Sequence, residues 1–290
     1  MLNWKACKKH AHEAMTATFE VILPGLDERR AASVAQACFD ELDRVESEIS
    51  SWQEGSEIHM INKAPAGQAT PVSMSTLTCL SVAKRMHVAT RGAFDVTVGP
   101  LLAIWRTKGG QSRTPSGKDI AHALALCGIE HLDVDLETHT VTKDTAGVRI
   151  DLGGIGKGFA VDEMARLLRE EYDITQFLIN GGSSTVRVGS APCELGAGGD
   201  TRLVNQALSG SGFGVKGAHI IDPRSGKPVE PSARHAWAIA PTAAEADALS
   251  TAFIVLSAKE IQQLCRRQAG FGAKLALGKK RYRSFGSWPN

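Results

Sequence analysis

The sequence has no C-x-x-C pair, no metal-type cysteine spacing, no apolar stretch of transmembrane length and almost no surplus of either charge. Its six cysteines (Cys7, Cys38, Cys79, Cys127, Cys193 and Cys265) are scattered, so neither a disulfide framework nor a cysteine-bound metal is expected. Cys38 and Cys79 fall among apolar neighbours in helical stretches, where cysteine behaves as a small hydrophobe. Thirty-three basic residues against 31 acidic ones leave a net charge of +2, which gives no support to bulk nucleic-acid or membrane binding. The N-terminus carries charges with no apolar run behind them, so no secretory signal is expected and the chain reads as cytoplasmic. A periplasmic or membrane-anchored location would follow only if a leader had been removed. Repeats, low-complexity tracts and linkers are likewise missing.

What remains is an ordinary soluble composition, 43% hydrophobic and 22% charged over 290 residues. That length buries an ample core without staples, in one large domain or two intimately packed ones. Phe19–Leu23 reads as a first strand. Asp27 can cap a long helix carrying Val34, Cys38, Leu42, Val45, Ile49 and Trp52 at spacings of three and four. Gly55–Gln68 is polar and turn-rich. A second helix follows Ser73 and ends at Gly92, Thr107–Ser116 is a loop, and Ile120–Leu126 is a short helix. Leu132–Leu136, Thr140–Lys143 and Val148–Leu152 read as three strands. Gln176–Ile179 and Thr185–Val188 follow, then helices over Ala246–Leu256 and Lys259–Arg267 and a last strand at Lys274–Leu277. Helices and strands mix without strict alternation, which predicts an α+β fold with mixed or antiparallel sheets and packed helices. The boundaries expected are an extension over 1–14, one domain over 15–278 and a solvated basic tail over 279–290.

The stretch Val148–Asp162 runs from an apolar segment through Gly153, Gly154, Gly156 and Gly158 into a helix. Four glycines open the backbone to a ligand, the helix points its positive end at the turn, and Lys157 adds a full charge. An anion, and a phosphate above all, suits such a place. The Walker and dinucleotide patterns both fail here, because Gly158 follows Lys157 and Phe159 stands where a third glycine belongs. The same glycines also suit a plain strand-to-helix turn.

Other candidates are weaker singly. Asp247 and Thr251 are four apart on a helix and share a face, offering hard oxygen donors to Mg²⁺ or Ca²⁺; an aspartate near a helix start also reads as a cap. His219 precedes the turn Asp222-Pro223-Arg224-Ser225-Gly226 and reads as a base or a structural hydrogen-bonder. Gly92–Pro100 places glycines around Asp95, and Trp52 reads as packing at a helix end.

Taken in order, these segments resemble the ApbE family of FAD:protein FMN transferases. The matching stretches are Met15–Val21, Ser51-Trp52 with Ser56-Glu57 and Asn62, and Gly92–Leu101 with Trp105. They continue through Asp151–Asp162, Asn180–Gly182, Ser211-Gly212, His219–Gly226 and Ala246–Thr251, covering about Met15 to Leu277. The resemblance implies an α+β fold that binds FAD with a divalent cation, usually Mg²⁺, with Ca²⁺ or Mn²⁺ as alternatives. By motif position, the Gly154 carbonyl, Asp247 and Thr251 would hold the metal. Met15, Trp52, Ala93, Phe94, Asp95, Asp151, Lys157 and Ile221 would line the FAD site, with Trp52 in place of a frequent tyrosine. The implied reaction moves FMN from FAD onto a Thr or Ser hydroxyl of a target protein and releases AMP, with His219 or Asp247 as base. An FAD pyrophosphatase and a non-catalytic FAD-binding protein are the rival readings.

Overall fold

The computed structural model describes residues 2–105, 113–197, 200–212, 220–229, 233, 235–278 and 281–289. The chain is α+β and divides into two units, each drawn from separate stretches of sequence. One comprises Met1–Glu46, Ile155–Gly212 and Ser232–Asn290, the other Ser47–Gly154 and Phe213–Pro231. Among the described residues no helix is long and apolar enough to cross a membrane.

After a 3-10 turn over Trp4–Ala6, β1 (Lys9–Ala14), inside the segment expected as an extension, pairs with β2 (Ala17–Ile22). Their two-residue turn holds Met15 and Thr16 at φ 50° and 59°, the left-handed pair that a tight hairpin demands. In α1 (Glu28–Ile49), Asp27 Oδ1 accepts the Arg30 N–H (3.0 Å), as a cap should. The helix buries Val34, Cys38, Leu42, Val45 and Ile49 and stops there. Trp52, expected on the same apolar face, lies beyond it and is 86% exposed, because the Ser50 hydroxyl takes the N–H groups of Trp52 and Gln53. The turn-rich reading of Gly55–Gln68 also needs correction. It contains α2 (Glu57–Lys63), capped by Ser56 and burying Ile58 and Ile61.

After β3 (Thr70–Pro71) comes α3 (Met74–Thr90), capped by Ser73 as expected. Its left-handed C-cap is Arg91 (φ 55°), with Gly92 following at 77°. Next are α4 (Gly99–Trp105), α5 (Gly117–Leu124), β4 (Leu132–Asp135) and β5 (Thr140–Lys143). Most of the expected Thr107–Ser116 loop lies outside the described residues. Val148–Leu152 is not a strand: one parallel bridge joins Val98 to Arg149. The polar groups of Ile150 go instead to one side chain, Asn62 Nδ2 donating to its C=O (2.9 Å) and Oδ1 accepting its N–H (2.7 Å). With those groups satisfied, no neighbouring strand is needed.

The second half of the chain holds α6 (Gly156–Glu170), β6 (Leu178–Gly181), β7 (Thr185–Val188), β8 (Cys193–Gly196), β9 (Asp200–Leu203) and β10 (Ala207–Gly212). The short pair β11 (Ile221–Asp222) and β12 (Lys227–Pro228) and then β13 (His235–Ala240) follow. The chain ends in α7 (Ala243–Val255), α8 (Ala258–Arg267), β14 (Gly272–Gly278) and β15 (Arg281–Gly286). Arg281–Gly286, read from its charge as a solvated tail, pairs antiparallel with β14.

The first unit is built on an antiparallel sheet of order β1-β2-β6-β7-β10-β13-β14-β15. Alternation gives it two faces. On one, α6 and α7 pack over the central strands. On the other, Ile22, Leu178, Leu208 and Ile239 form a core with Cys193 and Leu203 of the β8–β9 hairpin. In the second unit, β3, β5 and β4 form a small sheet, while Leu101, Ala123 and Ile221 make a separate core.

Candidate functional site

In the first unit, the site is the seam between α7 and the sheet. Thr242 caps α7, and both oxygens of Asp162 from α6 accept the N–H groups of Ala243 and Ala244 at 2.8 Å. Each oxygen takes one donor, which favours the carboxylate, as does Arg187 at 3.7 Å, while burial pushes the Asp162 pKa up to about 6. Asp247 is therefore no cap: it lies past the first turn, 4% exposed. Its Oδ2 accepts the Gly158 N–H at the start of α6 (3.1 Å), and its Oδ1 accepts from Ser209 Oγ (3.2 Å) and Thr185 Oγ1 (3.5 Å). Gly158 permits this approach, since a Cβ there would lie 2.2 Å from the Ala243 carbonyl oxygen.

A turn further along α7, Thr251 Oγ1 is 3.3 Å from Ser211 Oγ, which is 2.8 Å from Ser250 Oγ. Ser250 in turn donates to the Asp247 carbonyl at 2.9 Å. Lys157 sits half-buried in the first turn of α6, and Met15 at the β1–β2 turn. A carboxylate flanked by hydroxyls is a hard-oxygen donor set, which fits Mg²⁺, Ca²⁺ or Mn²⁺. Among the described residues no three His, Cys, Asp or Glu side chains gather as a metal cluster. A cation here would draw on Asp247 and the neighbouring hydroxyls.

The second unit carries Trp52, Ala93, Phe94, Asp95, Asp151, Gly154 and Ile221. Thr90 pins the turn after α3, donating to Met86 O (2.7 Å) and accepting the Phe94 N–H (3.1 Å). Ala93, Phe94, Asp95 and Ile221 are buried. Asp95 is held by its own fold: Oδ1 accepts from Thr97 N (2.7 Å) and Thr97 Oγ1 (2.6 Å), and Oδ2 lies at ion-pair distance, 3.1 Å, from His87 Nδ1. The Asp151 N–H donates to Val96 O (2.7 Å), and its Oδ1 accepts from Gly153 N (2.8 Å). Lys143, 3% exposed, ties the approach to this turn by donating to Asn62 O (3.0 Å) and Val148 O (3.2 Å). Burial lowers its pKa. His219 lies outside the described residues.

Hydrogen bonding to Asp95 raises the His87 pKa, against burial and with the charges of Asp95 and Glu130. A raised histidine pKa stabilises fully below the ordinary value near 6.5 and loses that contribution as pH rises through the folded value. Urea unfolding at pH 5.5 and 8.5 should therefore show wild type ahead of His87→Gln by about 1–2 kcal/mol at the lower pH and by less at the higher. An equal gap at both pH values would rule the pair out as a charged one.

Sequence reasoning placed Asp247 and Thr251 on one helical face, as observed, but missed Thr185 and Ser209. The period-two spacing of Ser209 and Ser211 was the available signal, had a strand been expected there. His87 carried none.

Comparison with known proteins follows the same lines. The sequence pattern of the ApbE family matches residues 15–274. An FAD:protein FMN transferase of Escherichia coli (strain K12) is 28% identical over 292 residues, spanning 92% of this chain and 82% of that protein. One from Klebsiella pneumoniae (strain 342) is 29% identical over 282 residues, spanning 88% and 80%. Among solved structures, Pseudomonas stutzeri flavinyl transferase ApbE in its apo form superposes with a TM-score of 0.84 at 24% identity, covering 98% of this chain and 97% of that one. The ApbE protein of Thermotoga maritima gives 0.81 at 26% identity, covering 96% and 97%.

Proposed function

This chain belongs to the ApbE family, and from that membership we propose that it is an FAD:protein FMN transferase that moves FMN from FAD to a Thr or Ser hydroxyl of a target protein, releases AMP and depends on a divalent metal. The observation that carries the reading is Asp247, an aspartate buried in a helix–sheet seam and aimed by Gly158, Ser209 and Thr185. A buried carboxylate is costly unless it is paired or holds a cation; Ser209 and Thr185, 3.0 Å apart, have two hydrogens for their mutual contact and for Asp247, so with the Gly158 N–H they leave Asp247 lone pairs unclaimed by these bonds.

In the reaction, the acceptor hydroxyl oxygen bonds to the flavin-side phosphorus, the bond from that phosphorus to the bridging oxygen breaks, and AMP leaves with that oxygen. When bound, the cation neutralises charge on the pyrophosphate and on the departing AMP. Asp247 and Thr251 would supply its oxygen donors. Lys157 and the N-terminal end of α6 attract the phosphates. Met15, Trp52, Ala93, Phe94, Asp151 and Ile221 contribute to the flavin site, and Asp95 acts by holding the turn that presents Ala93 and Phe94. His219 takes the hydroxyl proton, with Asp247 the competing base.

The test uses purified protein, FAD, Mg²⁺ and an acceptor peptide bearing a Thr, read by intact mass and in-gel flavin fluorescence. A mass gain equal to FMN, lost on chelation, is expected. Free FMN and AMP with unlabelled acceptor would make the protein an FAD pyrophosphatase, and FAD surviving intact would make it a flavin binder.

A further inference from the structure

Ser209 and Ser211 are two apart on β10 and point to the same face; Asp247 and Thr251 are four apart on α7. Two strand residues rise roughly 6.7 Å and four helical residues about 6 Å, so the two rows match in pitch. Each serine accordingly meets one member of the pair: Ser209 bonds Asp247 at 3.2 Å and Ser211 bonds Thr251 at 3.3 Å.

The second rung has a fixed polarity. A hydroxyl has one hydrogen to give. Ser250 gives its hydrogen to the Asp247 carbonyl (2.9 Å), so in the 2.8 Å contact between Ser250 and Ser211 the hydrogen must come from Ser211. Ser211 then has none left for Thr251, and the 3.3 Å contact between them requires Thr251 to donate. The hydrogens run one way, from Thr251 to Ser211 to Ser250 to the α7 backbone. Thr251 Oγ1 is left with its lone pairs unused by these bonds, which is the state a cation ligand needs.

We propose that Ser211 is a positioning residue for the cation site: locked as a donor by Ser250, it obliges the Thr251 hydroxyl to donate inward and present its lone pairs to a divalent cation. This rests on the reading that Asp247 and Thr251 hold the metal. Ser250 acts at one remove, because without it Ser211 is free to turn its hydrogen on Thr251 and reverse the polarity.

The test is Mn²⁺ binding to the full chain, followed by the loss of the free-ion paramagnetic resonance signal on titration, with thermal melts to confirm folding. Ser211→Ala and Ser250→Ala should each weaken Mn²⁺ binding about 10-fold, the scale of lost outer-shell partners. Ser211→Thr, which keeps the hydroxyl, should restore binding to within about 3-fold of wild type, well short of that outer-shell loss. In a Thr251→Val background, Ser211→Ala should change nothing further. If Thr251→Val weakens binding while Ser211→Ala and Ser250→Ala bind as wild type does, the positioning role is wrong and the metal reading stands. If the wild type takes up no Mn²⁺, or if Thr251→Val and Asp247→Asn bind it undiminished, the metal reading falls and takes the proposal with it.

Discussion

Asp247→Asn is expected to lower FMN transfer by about 10³-fold, the equivalent of roughly 4 kcal/mol of the charge stabilisation that the proposed metal ligand would supply. The substitution keeps volume and one acceptor oxygen, so Ser209 and Thr185 retain their partner. Its cost to the fold is confined to the amide facing the Gly158 N–H, about 1–3 kcal/mol for an unsatisfied buried donor. Asp247→Ala is the poorer experiment. It strands all three donors in a position only 4% exposed, and lost activity there would mix with lost stability. Transfer rates against Mg²⁺ concentration, beside a thermal melt, separate the two effects. An Asn variant that keeps Mg²⁺-dependent turnover near the wild-type rate would remove Asp247 from the site.

Gly158→Ala should be far more damaging than Gly153→Ala in the same turn. In an ordinary helix such a change helps, since alanine is favoured over glycine by about 1 kcal/mol. Here the sign reverses. A Cβ at Gly158 would stand 2.2 Å from the carbonyl oxygen of Ala243, 2.6 Å from its carbon and 2.8 Å from the nitrogen of Ala244, all backbone atoms that a rotamer change cannot move. Forcing α6 and α7 apart should cost at least about 3 kcal/mol and lower the melting temperature by about 5 °C or more. It should also reduce transfer, because the Gly158 N–H would be drawn off Asp247. Gly153→Ala is the control: its Cβ would meet only Asp151 Oδ1, at 2.9 Å, a side-chain tip that can swing aside. Circular dichroism melts of both variants decide the matter, and a Gly158→Ala protein melting with wild type would refute the close packing.

The two residues differ in how they could have been found. Gly158 was visible as part of a glycine-rich stretch, yet the sequence offers an anion-binding turn and a plain turn equally. Only the position of Ala243 gives Gly158 a steric reason. Asp247 and Thr251 share a helical face by arithmetic alone, but an aspartate near a helix start reads as a cap until Thr242 and Asp162 are seen in that role. The basic run at Arg281–Arg283 reads as a solvated tail because an edge strand carries its charge outward, and the partner that makes it a strand is fixed by the sheet.

What the sequence determined by itself is what short-range physics controls. The three-to-four spacing of α1 buries Val34, Cys38, Leu42 and Val45, and Asp27 and Ser73 start helices because their side chains reach N–H groups three residues away. The ordered motifs were enough to point to the family. Tertiary structure alone decided the long-range partners. Asn62 stands in for a strand beside Ile150, 88 residues away, and Ser209 finds Asp247 across 38. Such pairs depend on which strand lies under which helix and in what register, and no local pattern carries that information. The polarity of the hydroxyls from Thr251 to the α7 backbone belongs to the same class. Each serine is unremarkable in sequence, and the direction of its hydrogen is settled only by the neighbour whose hydrogen is already spoken for.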